Sequence, residues 1–214
     1  GEAQWDTGAI IGTGIGGIDT ISETLGPQVD AGKVRRLGST MVEQIMSSGN
    51  SARIAGKLAL GNQVSTNSSA CNTGTEAIIQ AMQRIRNGHA VRMLAGGSEG
   101  HSHYIWAGFD AMRVLNRTKN DDPEAASRPL SASAAGFIPG SGAGVLMLEE
   151  LESAQARGAR IYAEILGGAL NCGGHRQGGS MTAPNPDSVQ RCIRGALSDA
   201  GIAGSDVNAI NGHL

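Results

Sequence analysis

The stretch NQVSTNSSACNTGTEAIIQAMQRIRNG, residues 62–88, decides how this chain is read. Asn62 to Thr66 predicts a short strand, and the small, mostly polar run from Asn67 to Thr75 has the composition of a tight turn. From Thr75 the apolar residues Ala77, Ile78, Ala81, Met82 and Ile85 recur at helical spacing until Asn87-Gly88 ends the pattern. Strand, turn and helix in that order make one unit of an α/β sheet, with Cys71 at the turn. A thiol at the first turn of a helix faces unpaired backbone N–H groups, whose partial positive charge favours the nucleophilic thiolate. Small neighbours, Ser69-Ala70 before and Asn72-Thr73-Gly74 after, let a carbonyl approach and let local N–H groups stabilise an oxyanion. From these residues alone a reactive Cys71 and a buried structural cysteine stand at even weight.

Working outward, the same alternation continues. Residues 8–12 read as a buried strand entering Gly12-Thr13-Gly14-Ile15-Gly16-Gly17, which fits the G-x-G-x-x-G pattern of a dinucleotide site. That pattern requires an acid about twenty residues on, at the end of a second strand. Asp30 has the distance, but Pro27-Gln28-Val29-Asp30-Ala31-Gly32 is too broken for a strand, and Ile18 to Leu25 makes only a short helix. The motif therefore reads as a packing turn. Helices follow at 39–47 and 50–59, ended by Gly49 and Gly61, then a strand Val91 to Ala95 closed by Gly96-Gly97, and a helix His103 to Val114. Residues 131–144 have a linker's composition, yet the strand Val145 to Leu148 follows at once, so a packed turn is as good a reading. Helix Glu149 to Ala159, strand Arg160 to Leu166, a Gly-rich loop through Met181, helix Asp187 to Ala200 and strand Val207 to Ile210 complete the pass. Strands separated by helices imply a parallel or mixed sheet sandwiched by helices.

Composition narrows the function classes. Seventeen basic and nineteen acidic residues among 214 give a net charge of −2, so neither nucleic acid nor an anionic membrane surface is an expected partner. No apolar run reaches the roughly 18 residues of a membrane span. Thirty-three glycines with 3% aromatic residues point to close backbone packing. Three cysteines without disulfide spacing point to a reducing, cytoplasmic setting. The start, Gly1-Glu2-Ala3, and the end, Asn211-Gly212-His213-Leu214, suggest a piece of a longer chain.

The remaining chemical candidates are weaker. Cys172 and His175 form a C-x-x-H, but two ligands without a second pair do not make a zinc site. Cys192 shares an apolar helix face with Val189, Ile193, Ala196 and Leu197 and is expected in the core. His101 and His103 read as a solvated loop pair, and His89 as a partner of a helix C-terminus. His213 follows a strand end, where sheets of this type often place catalytic groups.

Six stretches carry a resemblance. They are Ser68 to Thr75, Met93 to Glu99, Gly108 to Arg113, Asn120 to Pro129, Gly142 to Glu152 and Ile161 to Glu164. In order and spacing, over nearly the whole chain, they resemble the elongating β-ketoacyl-acyl carrier protein synthases of the thiolase superfamily, in which Gly12 to Gly17 matches a G-S-G-x-G-G turn that binds no nucleotide. The resemblance implies an α/β thiolase-like fold of mixed five-stranded sheets layered with helices, incomplete in this chain. Residues 1–158 would be an N-terminal half without its first part, and 159–214 the start of the second half. It implies an acyltransferase that joins an acyl thioester to a malonyl unit, in fatty acid or polyketide synthesis. Cys71 would accept the acyl chain, His213 would be the first of two histidines promoting decarboxylation, and Phe109 would line the acyl channel. The second histidine, a lysine and an oxyanion-hole loop fall beyond Leu214 in the family, so this chain by itself is expected to be inactive. No cofactor is implied, the substrates riding on the phosphopantetheine of acyl carrier protein, and a homodimer or ketosynthase heterodimer is expected. Two departures indicate a divergent branch: Ser131 to Phe137 lacks the charges of the family's D-x-x-R-D-G-F, and Leu214 replaces the glycine after the histidine. A non-catalytic partner subunit, or a thiolase or polyketide-type enzyme, is the alternative, and the intact cysteine weighs against the first of these.

Overall fold

The computed structural model describes residues 2–173 and 184–213. Its strands are β1 (Thr7–Gly12), β2 (Val64–Ser65), β3 (Arg92–Glu99) and β4 (Gly142–Glu149). The α-helices are α1 (Gly26–Asp30), α2 (Met41–Ile45), α3 (Gly49–Leu58), α4 (Thr73–Arg86), α5 (His103–Ala111), α6 (Leu151–Ala156) and α7 (Pro186–Ala200). A π-helical turn, Thr20–Leu25, precedes α1.

The strands form one mixed sheet in the order β2-β1-β3-β4. β1 runs parallel to β2 and β3, with Ala9 opposite Val64 on one side and Leu94 on the other, and β4 is antiparallel to β3. Every residue of β1 is buried. A strand covered on both faces needs continuous rather than alternating apolar character, which is what Ala9-Ile10-Ile11 supplies. The core joins Ile10, Met93 and Ala95 of the sheet to Ala77 and Ala81 of α4, with Ala90 beside them. The small side chains let α4 sit close to the sheet.

β3 runs four residues past the expected Ala95 end, through Gly96 and Gly97 to Glu99. The two glycines do not close the strand; they admit neighbours. A Cβ at Gly96 would overlap the Gly144 carbonyl of β4, and one at Gly97 would lie 3.5 Å from Cα of Gly74 in α4. Gly49 begins α3 instead of ending α2, and α3 stops at Ala59, whose φ of 53° is left-handed, before Gly61 is reached. α5 ends at Ala111, three residues before the expected Val114.

Two expected strands are not formed. Residues 160–166 and 207–210 are irregular, and the sheet has four strands among the described residues, an incomplete form of the mixed sheet expected. A strand is defined by its pairing, and here Ile161, Tyr162 and Ile210 expose their side chains with no neighbouring strand. The 160s segment is held differently. Arg86 of α4 binds the carboxylate of Asp199 on α7 at 3.0 Å and also the Leu166 carbonyl, while the Gly168 N–H donates to Asp199 at 2.9 Å. That N–H, followed by the Arg86 guanidinium, holds the Asp199 carboxyl below its ordinary range. Cys192 is half-buried, donating to the Ala169 carbonyl at 3.2 Å, with Val189 and Ile193 exposed, so the apolar face of α7 is not the core face it was expected to be.

The small-residue segment before β4 is tied down at Phe137, while residues 131–136 stay exposed. The Phe137 N–H donates to the Val114 carbonyl and the Asn116 N–H to the Phe137 carbonyl, at 2.7 and 2.9 Å. At the far end of β4, Glu149 accepts from Arg92 of β3, from Ser153 of α6 and from Arg157, tying the sheet edge to the helix behind it. Among the described residues no helix is long and apolar enough to cross a membrane.

Candidate active site

Cys71 lies exposed between β2 and α4, one residue ahead of the helix N-cap, Asn72. The helix begins at Thr73, two residues before the periodicity places it, because the Thr73 side chain organises the turn. Its Oγ1 accepts from the Ser69 N–H at 2.9 Å and donates to the Ala70 carbonyl at 2.5 Å. Asn67 donates from its side-chain amide to the Thr73 carbonyl at 2.9 Å. These bonds hold Ala70 at a φ of 53°, a left-handed conformation that a residue with a Cβ adopts only when its surroundings impose it. The result is a sharp elbow that turns Cys71 out of the sheet toward solvent.

The glycine turn after β1 forms the adjoining wall. Gly14 donates its N–H to Oε2 of Glu99 at 2.7 Å, Ile15 donates to Oε1 at 3.2 Å, and the Thr13 hydroxyl donates to Oε1 at 3.1 Å. Backbone N–H groups that would cradle a phosphate in a dinucleotide enzyme thus already hold an internal carboxylate. A π-helical turn, not a regular helix, follows them. The turn also reaches the nucleophile loop, since the Ser68 hydroxyl donates to the Gly14 carbonyl at 3.2 Å.

Cys71, Gly14, Ile15, Ser68 and Glu99 line a cavity of about 880 Å³ together with Phe109 of α5, the segment from Ser127 to Gly140, and His213. The cavity brings together all three residues singled out in the sequence, Cys71, Phe109 and His213, from positions far apart in the chain. Phe109 packs edge-on against Phe137, ring centroids 5.8 Å apart, so the uncharged 131–137 segment contributes an aromatic wall. Leu130, at a left-handed φ of 64°, and Ile138 add apolar surface. An exposed thiol, a histidine and a largely apolar recess can together hold a hydrocarbon chain while its terminal carbonyl meets sulfur.

Sequence reasoning missed two contributors. Glu99 enters only as the last residue of the Met93 to Glu99 stretch, and its role needs the return of β1 beside β3. The Ser127 to Gly140 wall is marked only through the resemblance of Asn120 to Pro129 and of Ser131 to Phe137, with no sign that it would face Cys71. Cys172 is exposed and outside the cavity, and His89 is exposed in the turn after α4. His175, most of the Gly-rich loop and Leu214 lie outside the described residues.

Comparison with known proteins identifies the family and the fold. The family model for the beta-ketoacyl synthase N-terminal domain matches residues 2–154, and that for the C-terminal domain matches residues 162–213. The chain is 41% identical over 209 residues to 3-oxoacyl-[acyl-carrier-protein] synthase I, chloroplastic, of Arabidopsis thaliana, covering 96% of this chain and 43% of that protein. It is 40% identical over 221 residues to 3-oxoacyl-[acyl-carrier-protein] synthase 2 of Rhizobium meliloti, covering 99% and 50%. Among solved structures, a beta-ketoacyl synthase from Burkholderia phymatum superposes with a TM-score of 0.84 at 32% identity, over 97% of this chain and 50% of that one. A type II polyketide ketosynthase in complex with its acyl-carrier protein gives 0.83 at 32% identity, over 95% and 51%. The chain spans about half the length of the relatives it matches. The α/β layering and the mixed sheet are accordingly those of a thiolase-fold ketosynthase, and the chain belongs to the beta-ketoacyl synthase family.

Proposed function

We propose that this chain carries the acyl-accepting part of a β-ketoacyl synthase, with Cys71 as nucleophile, His213 as the first decarboxylation histidine and Phe109 in the acyl channel. The observation that supports it best is the cavity shared by these three residues, with Cys71 at the elbow of a left-handed turn. In the first half-reaction the Cys71 sulfur attacks the thioester carbonyl of an acyl carrier protein. A C–S bond to Cys71 forms, the C–S bond to the carrier's phosphopantetheine breaks, and the leaving sulfur takes up the proton that Cys71 gives away. In the second, a malonyl thioester loses carbon dioxide. Its enolate carbon then attacks the acyl-Cys71 carbonyl and expels the thiolate. His213 donates a hydrogen bond to the enolate oxygen. No redox cofactor enters this sequence of steps.

The partner proposed is an acyl carrier protein, consistent with the complex of a similar ketosynthase with its carrier. A homodimer or ketosynthase heterodimer in the cytoplasm completes the reading, with residues 1–158 and 159–214 as parts of the N-terminal and C-terminal halves. The experiment is to incubate the 214-residue chain with an acyl-phosphopantetheine thioester and map adducts by mass spectrometry. Acyl transfer to Cys71, abolished by Cys71→Ser, is expected. No adduct at Cys71, or an adduct on Cys172 instead, would overturn the assignment.

A further inference from the structure

Outside the cavity, three side chains that the proposed chemistry does not use converge. Asp19 precedes the π-helical turn, Glu23 lies within it, and His103 opens α5. One donor atom from each lies within 4.8 Å of the other two. The start of α5 is fixed by Ser102, whose hydroxyl accepts from the Tyr104 N–H at 3.1 Å, and the His103 ring packs against Tyr104 with centroids 4.0 Å apart. The imidazole lies beside the turn, 3.8 Å from Glu23.

We propose that Asp19, Glu23 and His103 bind a divalent transition-metal ion that clips the π-helical turn to the N-terminal end of α5. Nδ1 of His103 and Oε1 of Glu23 stand 3.8 Å apart, too far for a hydrogen bond. Two donors each about 2.0–2.2 Å from one ion lie roughly 3.3–4 Å from each other, so that spacing suits an ion between them. Oδ1 of Asp19 is closed off from solvent and has no hydrogen-bond partner among the described residues. A carboxylate oxygen left in that state is costly unless a positive charge reaches it. Among the described residues neither Asp19 nor Glu23 pairs with a lysine or arginine, and the one ion-pair partner either carboxylate has is His103, across 3.8 Å from Glu23.

The donor set identifies the class of ion. One imidazole with two carboxylates and an open position suits zinc and its neighbours, whereas magnesium and calcium prefer oxygen throughout. Glu23 and His103 are more than half exposed, with free rotamers to close the remaining gap. The clip would act on the helix that carries Ile105 and Phe109 into the cavity. The inference does not depend on the chemistry assigned to Cys71.

The test uses the 214-residue chain with its thiols alkylated by iodoacetamide, because the free, exposed thiols of Cys71 and Cys172 would otherwise compete for zinc. Titration with zinc chloride followed by calorimetry is expected to show one ion per chain and a raised Tm. His103→Ala and Glu23→Gln should each weaken binding by more than the roughly 10- to 100-fold that loss of a supporting partner costs. Binding left unchanged by both substitutions, or absent from the alkylated chain, would overturn the site. A second measurement needs no variant. Cobalt(II) added to the unsubstituted chain should shift or broaden the His103 ring protons in the NMR spectrum, and sparing them would sink the proposal equally.

Discussion

Cys71 owes its place to its neighbours more than to itself. Thr73 bonds back to Ser69 and Ala70, Asn67 reaches forward to Thr73, and the chain passes through the left-handed Ala70 to expose the sulfur. Limiting iodoacetamide near neutral pH, followed by peptide mapping, is therefore expected to label Cys71 ahead of Cys172 and Cys192. Cys192 is spent on the Ala169 carbonyl, and among the described residues no helix begins beside Cys172. Faster labelling of either would count against the elbow as an activating device. Glu99 acts at the same scale. In Glu99→Gln one carboxylate oxygen becomes an amide that turns its own N–H toward the N–H of Gly14 or Ile15. The substitution preserves volume but leaves a donor facing a donor, and is expected to cost about 1–3 kcal/mol in urea unfolding. Unchanged stability would show that the glycine turn holds its shape without the clamp.

At the scale of elements, Glu149 is the bolt between β4, β3 and α6. Its side chain is 6% exposed and takes bonds from Arg157 at 2.6 Å, Arg92 at 2.9 Å and Ser153 at 2.8 Å. The Arg157 hydrogen bond, against the opposing effect of burial and with help from Arg92 and Ser153, lowers its pKa from 4.5 to about 2. A folded-state pKa below the unfolded one means that the unfolded chain binds the proton more readily. The stabilisation is thus complete above about pH 4.5 and drains away as pH falls toward about 2. A shift of that size corresponds to about 3 kcal/mol. Urea unfolding of the native chain and of Glu149→Gln should differ by an amount of this order near pH 6 and converge by about pH 2. A difference independent of pH would assign the effect to packing.

For the whole molecule, the apolar surface is telling. Val145, Leu146 and Met147 of β4, Ile161 and Tyr162 after α6, and Ile193 of α7 are all substantially exposed. Exposed apolar groups along an edge strand invite a partner surface. Relatives of this chain are about twice as long. The 214-residue chain is expected to accept an acyl group at Cys71 yet to condense it with malonyl thioester poorly. Loss of a single oxyanion donor alone costs on the order of 100- to 1,000-fold. Product formation at rates ordinary for enzymes by the purified chain would refute this.

The sequence by itself determined the local units. The spacing of Ala77, Ile78, Ala81, Met82 and Ile85 made α4 legible, the run Ala9-Ile10-Ile11 made β1 legible, and the small residues around Cys71 marked a turn built for close approach. These are short-range properties, set by side-chain periodicity and backbone sterics within a dozen residues. Tertiary structure alone decided the rest. Glu99 reaches Gly14 across 85 positions, and Gly96 and Gly97 stay inside a strand because β4 and α4 press against them. Residues 160–166, apolar enough to read as a strand, stay irregular for want of a neighbour to pair with. Phe109, the 131–137 segment and His213 meet Cys71 only when the sheet assembles. Pairing and cavity formation depend on which distant segment arrives alongside, and a backbone N–H carries no mark in the sequence of the carboxylate it will meet.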